Sequence, residues 1–246
     1  MSSMFLLFIL VSFGSLITSL TGLGGGTLIL AGLLLVYPPA MAIPLHSFTQ
    51  VTANGLRAGL YHKTVNWRVV GFYGLLMLPF AWLGAELFHL INPSWLKIFV
   101  GSVILFSIIP LKFKPSGEPR ASTFVFIGAI SGFLGIFVGA VGPMVTPFFN
   151  RLKLPREGML STKSAGQMIL QISKIIAFSG GAGINFLSLK EYIGVLMLGS
   201  LLGVVISIPI GKKISDDKFN QAVNVLLGLI AIKVLYEGIS ELLINA

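Results

Sequence analysis

Cysteine is missing from this chain of 246 residues, and carboxylates are scarce: eight Asp and Glu against seventeen Lys and Arg. No disulfide, cysteine-ligated metal or thiol chemistry is open to it. Charged residues make up 10% of the sequence, where a soluble domain carries about 25%. The motifs that carry catalysis are absent as well. There is no HExxH, no Cys/His metal set, no nucleophile elbow, no carboxylate pair for acid and base work, and no Gly-Lys-Ser/Thr phosphate loop. These absences exclude an enzyme of the common classes and an ATP-driven pump, and nothing calls for a cofactor or a metal.

What the sequence has is apolar length. Hydrophobic residues reach 55% and the mean hydropathy is +0.93. Runs such as MFLLFILVSFGSLITSL, GLLMLPFAWLGAELFHL and GVLMLGSLLGVVISIPI come near or above the roughly 17 residues that cross a hydrocarbon core of about 30 Å. They do not alternate with polar residues, so barrel strands are excluded. The expectation is an all-α polytopic membrane protein whose first partner is the lipid bilayer. The first run lacks the basic segment of a secretory leader and reads as a span. The formal charge of +9 is scattered through short loops, which fits membrane orientation and not nucleic acid. Trp67 with Tyr61, and Trp95 after Asn92-Pro93, fall at span ends and read as interfacial anchors.

The chain also repeats itself. With the most polar connector, PLKFKPSGEPRAS at 110–122, as divider, the halves align at a constant offset of 117 residues. GLGGGTLIL at 22–30 meets GAVGPMVTP at 139–147, Pro38 meets Pro155, Ser47 meets Ser164, and Gln50 meets Gln167. The first repeat runs over 1–111, with a glycine-broken helix at 4–36 and spans at 40–61, 69–90 and 95–110. A polar linker at 112–121 leads to a second repeat over 122–246, with a broken helix at 122–150 and spans at 157–183, 191–210 and 219–240. A continuous helix over 4–36 would be about 50 Å long at 1.5 Å per residue, too long for one crossing and too short for two. Either it crosses once with a break, or it turns at the glycines and leaves by the side it entered.

Loop charges arbitrate between these. If each broken element crosses once, the loop Lys and Arg residues divide six against seven. If each re-enters or crosses twice, they divide eleven against two, with only Lys97 and Lys190 on the poorer side. Because Lys and Arg tend to stay cytoplasmic, the second count favours two halves inserted in opposite orientation, with both termini extracytoplasmic. Inverted repeats built round discontinuous helices recur in secondary transporters.

The glycines themselves raise a second point. Gly22, Gly24, Gly25 and Gly26 lack a Cβ and let a ligand or another backbone approach. A break there leaves N–H groups that lipid cannot satisfy. The helix restarting at about Thr27 offers free amides and partial positive charge, which suit an anion. The second half has Gly139, Gly142 and Pro143 at the same place, with Met144 standing where Thr27 does; Pro at a first helical turn loses no needed donor. The alternative for these glycines is close helix packing alone.

The next helix of each half carries a polar face. His46, Gln50 and Asn54 are spaced by four, with Arg57 three further on, and Lys163, Gln167, Gln171 and Lys174 repeat the offsets. Such a face must turn inward, towards its twin and the glycine breaks, and intramembrane ionisable groups are functional candidates. No carboxylate stands at mid-helix beside it, which argues for a negatively charged guest. Arg57 and Lys174 could also snorkel to opposite interfaces.

The GLGGG break, the PPAMAIPLHSFTQVTANGLRAGLYHKTVNWR segment after it, and the second copy GAVGPMVTPFF with STKSAGQ resemble the TauE/SafE family of sulfite exporters over nearly the whole chain. The resemblance implies an inner or plasma membrane transporter of small anions, with sulfite and organosulfonates as the substrate class. It also sets Gly22, Gly24, Gly25 and Gly26 on the family's glycine motif, while GAVGP departs from the fuller glycine-rich form. The expectation is therefore a secondary transporter working by alternating access. Its small anionic substrate would lie between the breaks against the amides at Thr27 and Met144, with Gln50 and Gln167 donating and Lys163 and His46 supplying positive field. Arg57 and Lys174 would guard opposite mouths. Proton or ion coupling, through His46 or Glu157, and a homo-oligomeric state stay open. So do two other readings, an anion channel of the same architecture and a non-transporting membrane assembly factor.

Overall fold

In a computed structural model of the protein, residues 2–21, 25–109, 117–210 and 217–244 are described. Gly22 and Gly24, the first part of the polar linker and most of the KKISDDK turn lie outside the described residues. The described residues form eleven α-helices: α1 Ser2–Thr21, α2 Gly25–Leu34, α3 Pro39–Leu60, α4 Trp67–Gly74, α5 Met77–Phe88, α6 Pro93–Ile108, α7 Thr123–Val138, α8 Gly142–Phe149, α9 Arg156–Gly180, α10 Lys190–Ile210 and α11 Asp217–Ile244. Short 3₁₀ turns follow α3 (His62–Thr64) and precede α10 (Phe186–Leu189).

Three stretches are long and apolar enough to cross a bilayer, Trp67–Phe88, Phe186–Ile210 and Val223–Ile244, and shorter apolar helices cover Met4–Leu20, Pro93–Ile108 and Thr123–Val138. Large apolar side chains face outward along them, including Phe126, Leu198, Leu229 and Ile232, while Gln50, Asn54, Gln167, Gln171 and Lys174 are buried. That distribution reverses the soluble pattern, as expected where the surrounding solvent is lipid. Trp67 and Trp95 are well exposed at helix starts.

The span expected over 69–90 falls on the candidate crossing Trp67–Phe88, which is interrupted at Leu75 and Leu76 into two helices. Pro79 explains the interruption: it has no N–H to give the carbonyl four residues back, at Leu75, and its ring crowds that carbonyl. The two glycine-broken elements fold back on themselves. Gly32 of α2 lies against Leu10 in the middle of α1, and the ring of Phe149, ending α8, packs 5.0 Å from that of Phe124 in the first turn of α7. Gly139 makes the second turn possible, capping α7 at φ +76°, a conformation that suits a residue without Cβ.

Close packing elsewhere depends on glycine pairs four apart. A Cβ on Gly128 or Gly132 of α7 would meet the carbonyl oxygens of Tyr73 and Met77 at 1.9 and 2.5 Å, and on Gly199 or Gly203 of α10 those of Phe8 and Ser12 at 2.9 and 2.1 Å. In both pairs the backbones touch, the favoured solution where lipid offers no hydrophobic drive. Hydroxyls tie the same neighbourhoods together. Ser15 donates to Ser200 (3.1 Å) and Ser200 to the Thr49 carbonyl (2.8 Å), joining α1, α10 and α3. Tyr73 donates to Ser131 and receives from Gln167, each at 3.1 Å, joining α4, α7 and α9.

At the centre α3 packs on α9, and α6 on α11. Both pairs run antiparallel: Gly55 lies beside Met168 while Thr64 bonds Ser161, and Gly101 lies beside Leu235 while Gly238 lies beside Ser94. One end of the bundle gathers basic residues. There the α3–α4 connection with Lys63, followed by Arg68 in the first turn of α4, is joined to the start of α9 by the Asn66 amide, which donates to Thr162 Oγ1 at 2.9 Å, and Arg151 and Lys153 lie just before that start, with Arg156 at it. The other end is knit by Lys97 of α6, which pairs with Glu237 and Glu241 of α11, and by the edge-on rings of Tyr37 and Tyr192, 6.1 Å apart.

Candidate functional site

The polar faces of α3 and α9 meet the tips of both hairpins around a cavity of about 60 Å³. From α3 come His46, Gln50, Asn54 and Arg57, and from α9 come Lys163, Gln167 and Gln171. The hairpin tips add Gly26, Thr27, Ala140, Gly142 and Pro143, and α1 contributes Thr18. Spacing by three and four along each helix brings the polar side chains to one face, and the antiparallel crossing of α3 and α9 turns the two faces towards each other.

Several groups here are held by the protein. His46 Nε2 lies 2.9 Å from the Gly26 carbonyl; a carbonyl only accepts, so this nitrogen carries the proton and fixes the ring. Lys163 Nζ donates to Thr146 Oγ1 at 3.0 Å, and Arg57 Nε to the Ala53 carbonyl at 3.0 Å. Gln167 is anchored from behind by Tyr73. Others are buried without a hydrogen-bond partner among the described residues: His46 Nδ1, Gln50 Nε2, Arg57 Nη2 and Gln171 Oε1. All four belong to side chains lining the one cavity. Buried polar atoms are almost always satisfied, and each left open costs about 1–3 kcal/mol. A cavity so lined is built for a polar occupant.

The charge of the lining is one-sided. Among the described residues it includes Arg57, Lys163 and a histidine, and no Asp or Glu. Lys163 and Arg57 repel each other across it, and Lys174 lies within electrostatic reach of His46. The start of α2 adds helix-terminal amides at Gly26 and Thr27. A mobile anion would relieve this repulsion; a cation would add to it.

The cavity adjoins a larger one. A vestibule of about 410 Å³ shares Thr18 and Arg57 with it and is bounded further out by Leu20, Leu60, Tyr61, Arg156, Glu157 and Ile208. It lies at the basic end of the bundle. Towards the other end the path is filled. Lys174, fully buried, donates from Nζ to the Gly139 carbonyl at 2.9 Å, and the rings of Phe137 and Phe178 close on Phe88 at 6.2 and 5.2 Å.

Most of the side chains singled out in the sequence thus come together, and some do not. Gly24 lies outside the described residues, and Gly25 is the first residue of α2. The Met144 amide is already donated to the Val141 carbonyl at 3.0 Å, and its side chain borders a separate apolar cavity between α7 and α8; it has no amide to spare for an anion. Lys174 is sealed off from the cavity. Sequence reasoning passed over Thr18 and Tyr73. Thr18 sits in a hydroxyl-rich turn that looks like ordinary helix filler, and its Oγ1 is satisfied by the Gly14 carbonyl at 2.8 Å. Tyr73 carries no pattern along the chain that points to Gln167, 94 residues away.

Residues 6–234 match the family model described as Sulfite exporter TauE/SafE. Neither the curated proteins nor the solved structures contain a match to the chain.

Proposed function

This chain belongs to the TauE/SafE family, a family of anion exporters and not of enzymes, and from that premise we propose that it is a secondary transporter of small anions working by alternating access, with sulfite or organosulfonates as substrates. The observation that carries the reading is the set of four unpartnered buried polar atoms facing a carboxylate-free cavity beside Arg57 and Lys163. A single water needs about 15 Å³ of such space, so about 60 Å³ holds a guest of about four heavy atoms, the size of a sulfite ion. A longer organosulfonate would extend past Arg57 into the vestibule.

The geometry also favours a carrier over a channel, since the vestibule reaches the cavity from one end while Lys174 and three phenylalanines block the other. Two inverted halves are supported by the antiparallel packing of α3 on α9, which correspond at the 117-residue offset, and of α6 on α11, the last helix of each half. They are supported as well by the likeness between α1 on α10 and α7 on α4–α5, each a parallel pair with glycines four apart. By the tendency of basic loops to stay inside, the vestibule end is cytoplasmic, and this conformation is open inward.

The test is uptake of radiolabelled sulfite and sulfoacetate into proteoliposomes, with phosphate and acetate for comparison and a pH gradient across half the samples. Saturable flux of a sulfur oxyanion is expected, and its response to the gradient reports proton coupling. No flux of any anion by demonstrably folded protein refutes the proposal.

A further inference from the structure

The two halves match in sequence but differ in state. Around the vestibule stand Arg57, Leu60 and Tyr61, and the residues 117 positions on are Lys174, Ala177 and Phe178. Leu60 is 46% and Tyr61 43% exposed, whereas Ala177 and Phe178 are both 0% exposed. Leu20, on the vestibule wall, corresponds to Phe137, packed in the opposite plug. What lines an open mouth in one half is therefore closed packing in the other.

Lys174 is the costly member of that plug. It is a fully buried basic side chain that donates to a carbonyl at the end of α7. A purely structural role would be filled as well or better by an apolar side chain of similar length, because burying charge carries a desolvation cost that packing does not recover. Its stem packs beside Gly135, where a Cβ would stand in ordinary contact with Lys174 Cδ at 3.5 Å.

Resting on the reading of an alternating anion carrier, we infer that a second vestibule for the same small anions, closed in this structure, lies behind Phe137, Lys174, Ala177 and Phe178. It opens when the first one closes. Opening draws Phe178 and Phe137 from Phe88 and frees Lys174 from the Gly139 carbonyl, so that Lys174 meets the anion at that mouth as Arg57 does at the present one. Leu20, Leu60 and Tyr61 then close over Arg57. In the exchange each half takes up the arrangement of its counterpart with its own side chains, Leu20, Leu60 and Tyr61 standing where Phe137, Ala177 and Phe178 stand in the other. The conformer is a minor state that a ligand would draw out.

The absence of cysteine makes the test clean and independent of any transported anion. Leu60→Cys and Ala177→Cys, a corresponding pair, are reconstituted in proteoliposomes and treated from either face with a membrane-impermeant maleimide. Ala177→Cys changes volume little, so folding is retained, and labelling of denatured protein gives the full signal. Leu60→Cys should label readily from the basic face. Ala177→Cys should label from the opposite face only, about 10- to 1000-fold more slowly, as a minor state populated at 0.1–10% requires. In the double variant, a bulky adduct placed first on residue 60 should suppress labelling of residue 177 at least about tenfold, since the first mouth can no longer close. Labelling of Ala177→Cys only after denaturation would mean a permanent plug, and labelling indifferent to the adduct would mean independent mouths; either overturns the inference. Both results can be had whether or not sulfite is carried.

Discussion

Replacing Lys163 by methionine keeps the length of the side chain and removes its charge from the cavity. A hydrogen bond to a charged group contributes about 1.5–3 kcal/mol net, and tenfold in affinity is 1.4 kcal/mol, so the Michaelis constant for the transported anion should rise about 10- to 150-fold. Stability should move little. The variant loses the bond from Lys163 to Thr146 but also loses the repulsion between Lys163 and Arg57 and the cost of holding an ammonium half-buried, terms of similar size and opposite sign. The two readouts combine in a thermal-shift assay. Ligand at a hundred times its dissociation constant stabilises the wild type by about 2.7 kcal/mol, whereas a hundredfold weaker site at the same concentration yields only about 0.4 kcal/mol. The variant should melt near the wild type without anion and fail to follow it upward when anion is added. Equal Michaelis constants and equal anion-induced shifts would refute the assignment of this cavity as the binding site.

Other perturbations separate binding from packing. Tyr73→Phe removes the hydroxyl that holds Gln167 and reaches Ser131 and leaves the ring in place; uptake should show a Michaelis constant raised several-fold, by about 1 kcal/mol, with unchanged expression. Gly203→Leu forces a side chain into the Ser12 carbonyl and should cost at least the roughly 1–3 kcal/mol of overpacking, seen as loss of monodisperse protein in size exclusion. Gly59→Ala, with nothing within 4 Å of the new atom, should be neutral or gain up to about 1 kcal/mol from helix propensity. Glu241→Gln weakens the pairing with Lys97 that joins α6 to α11; being 42% exposed there, the carboxylate should contribute no more than about 1 kcal/mol, and the loss in melting temperature should shrink as salt is raised.

Much of the site was legible along the chain because a membrane simplifies the problem. Lipid surrounds the bundle, so a helix face bearing His46, Gln50 and Asn54, or Lys163, Gln167 and Gln171, can only turn inward, and two such faces in one chain must share an interior. Glycines and prolines marked the helix ends for the same reason, since each broken backbone needs protein or ligand to satisfy it. The span expected over 69–90 has its counterpart in Trp67–Phe88; what length alone did not show is the interruption four residues before Pro79, a local effect of the proline ring.

Periodicity and spacing by themselves determined an all-α membrane protein with an inward polar face that is basic and poor in carboxylates, because these follow from side-chain transfer energies and helix geometry alone. Tertiary structure decided which backbone amides remain to meet a ligand: Met144 spends its own on Val141. It decided that Tyr73 stands behind Gln167. Above all it decided that Arg57 faces an open vestibule while Lys174, its counterpart, is sealed under phenylalanine. Both side chains stand at matching places in the sequence pattern, and only the packing of the assembled bundle sets them in different surroundings.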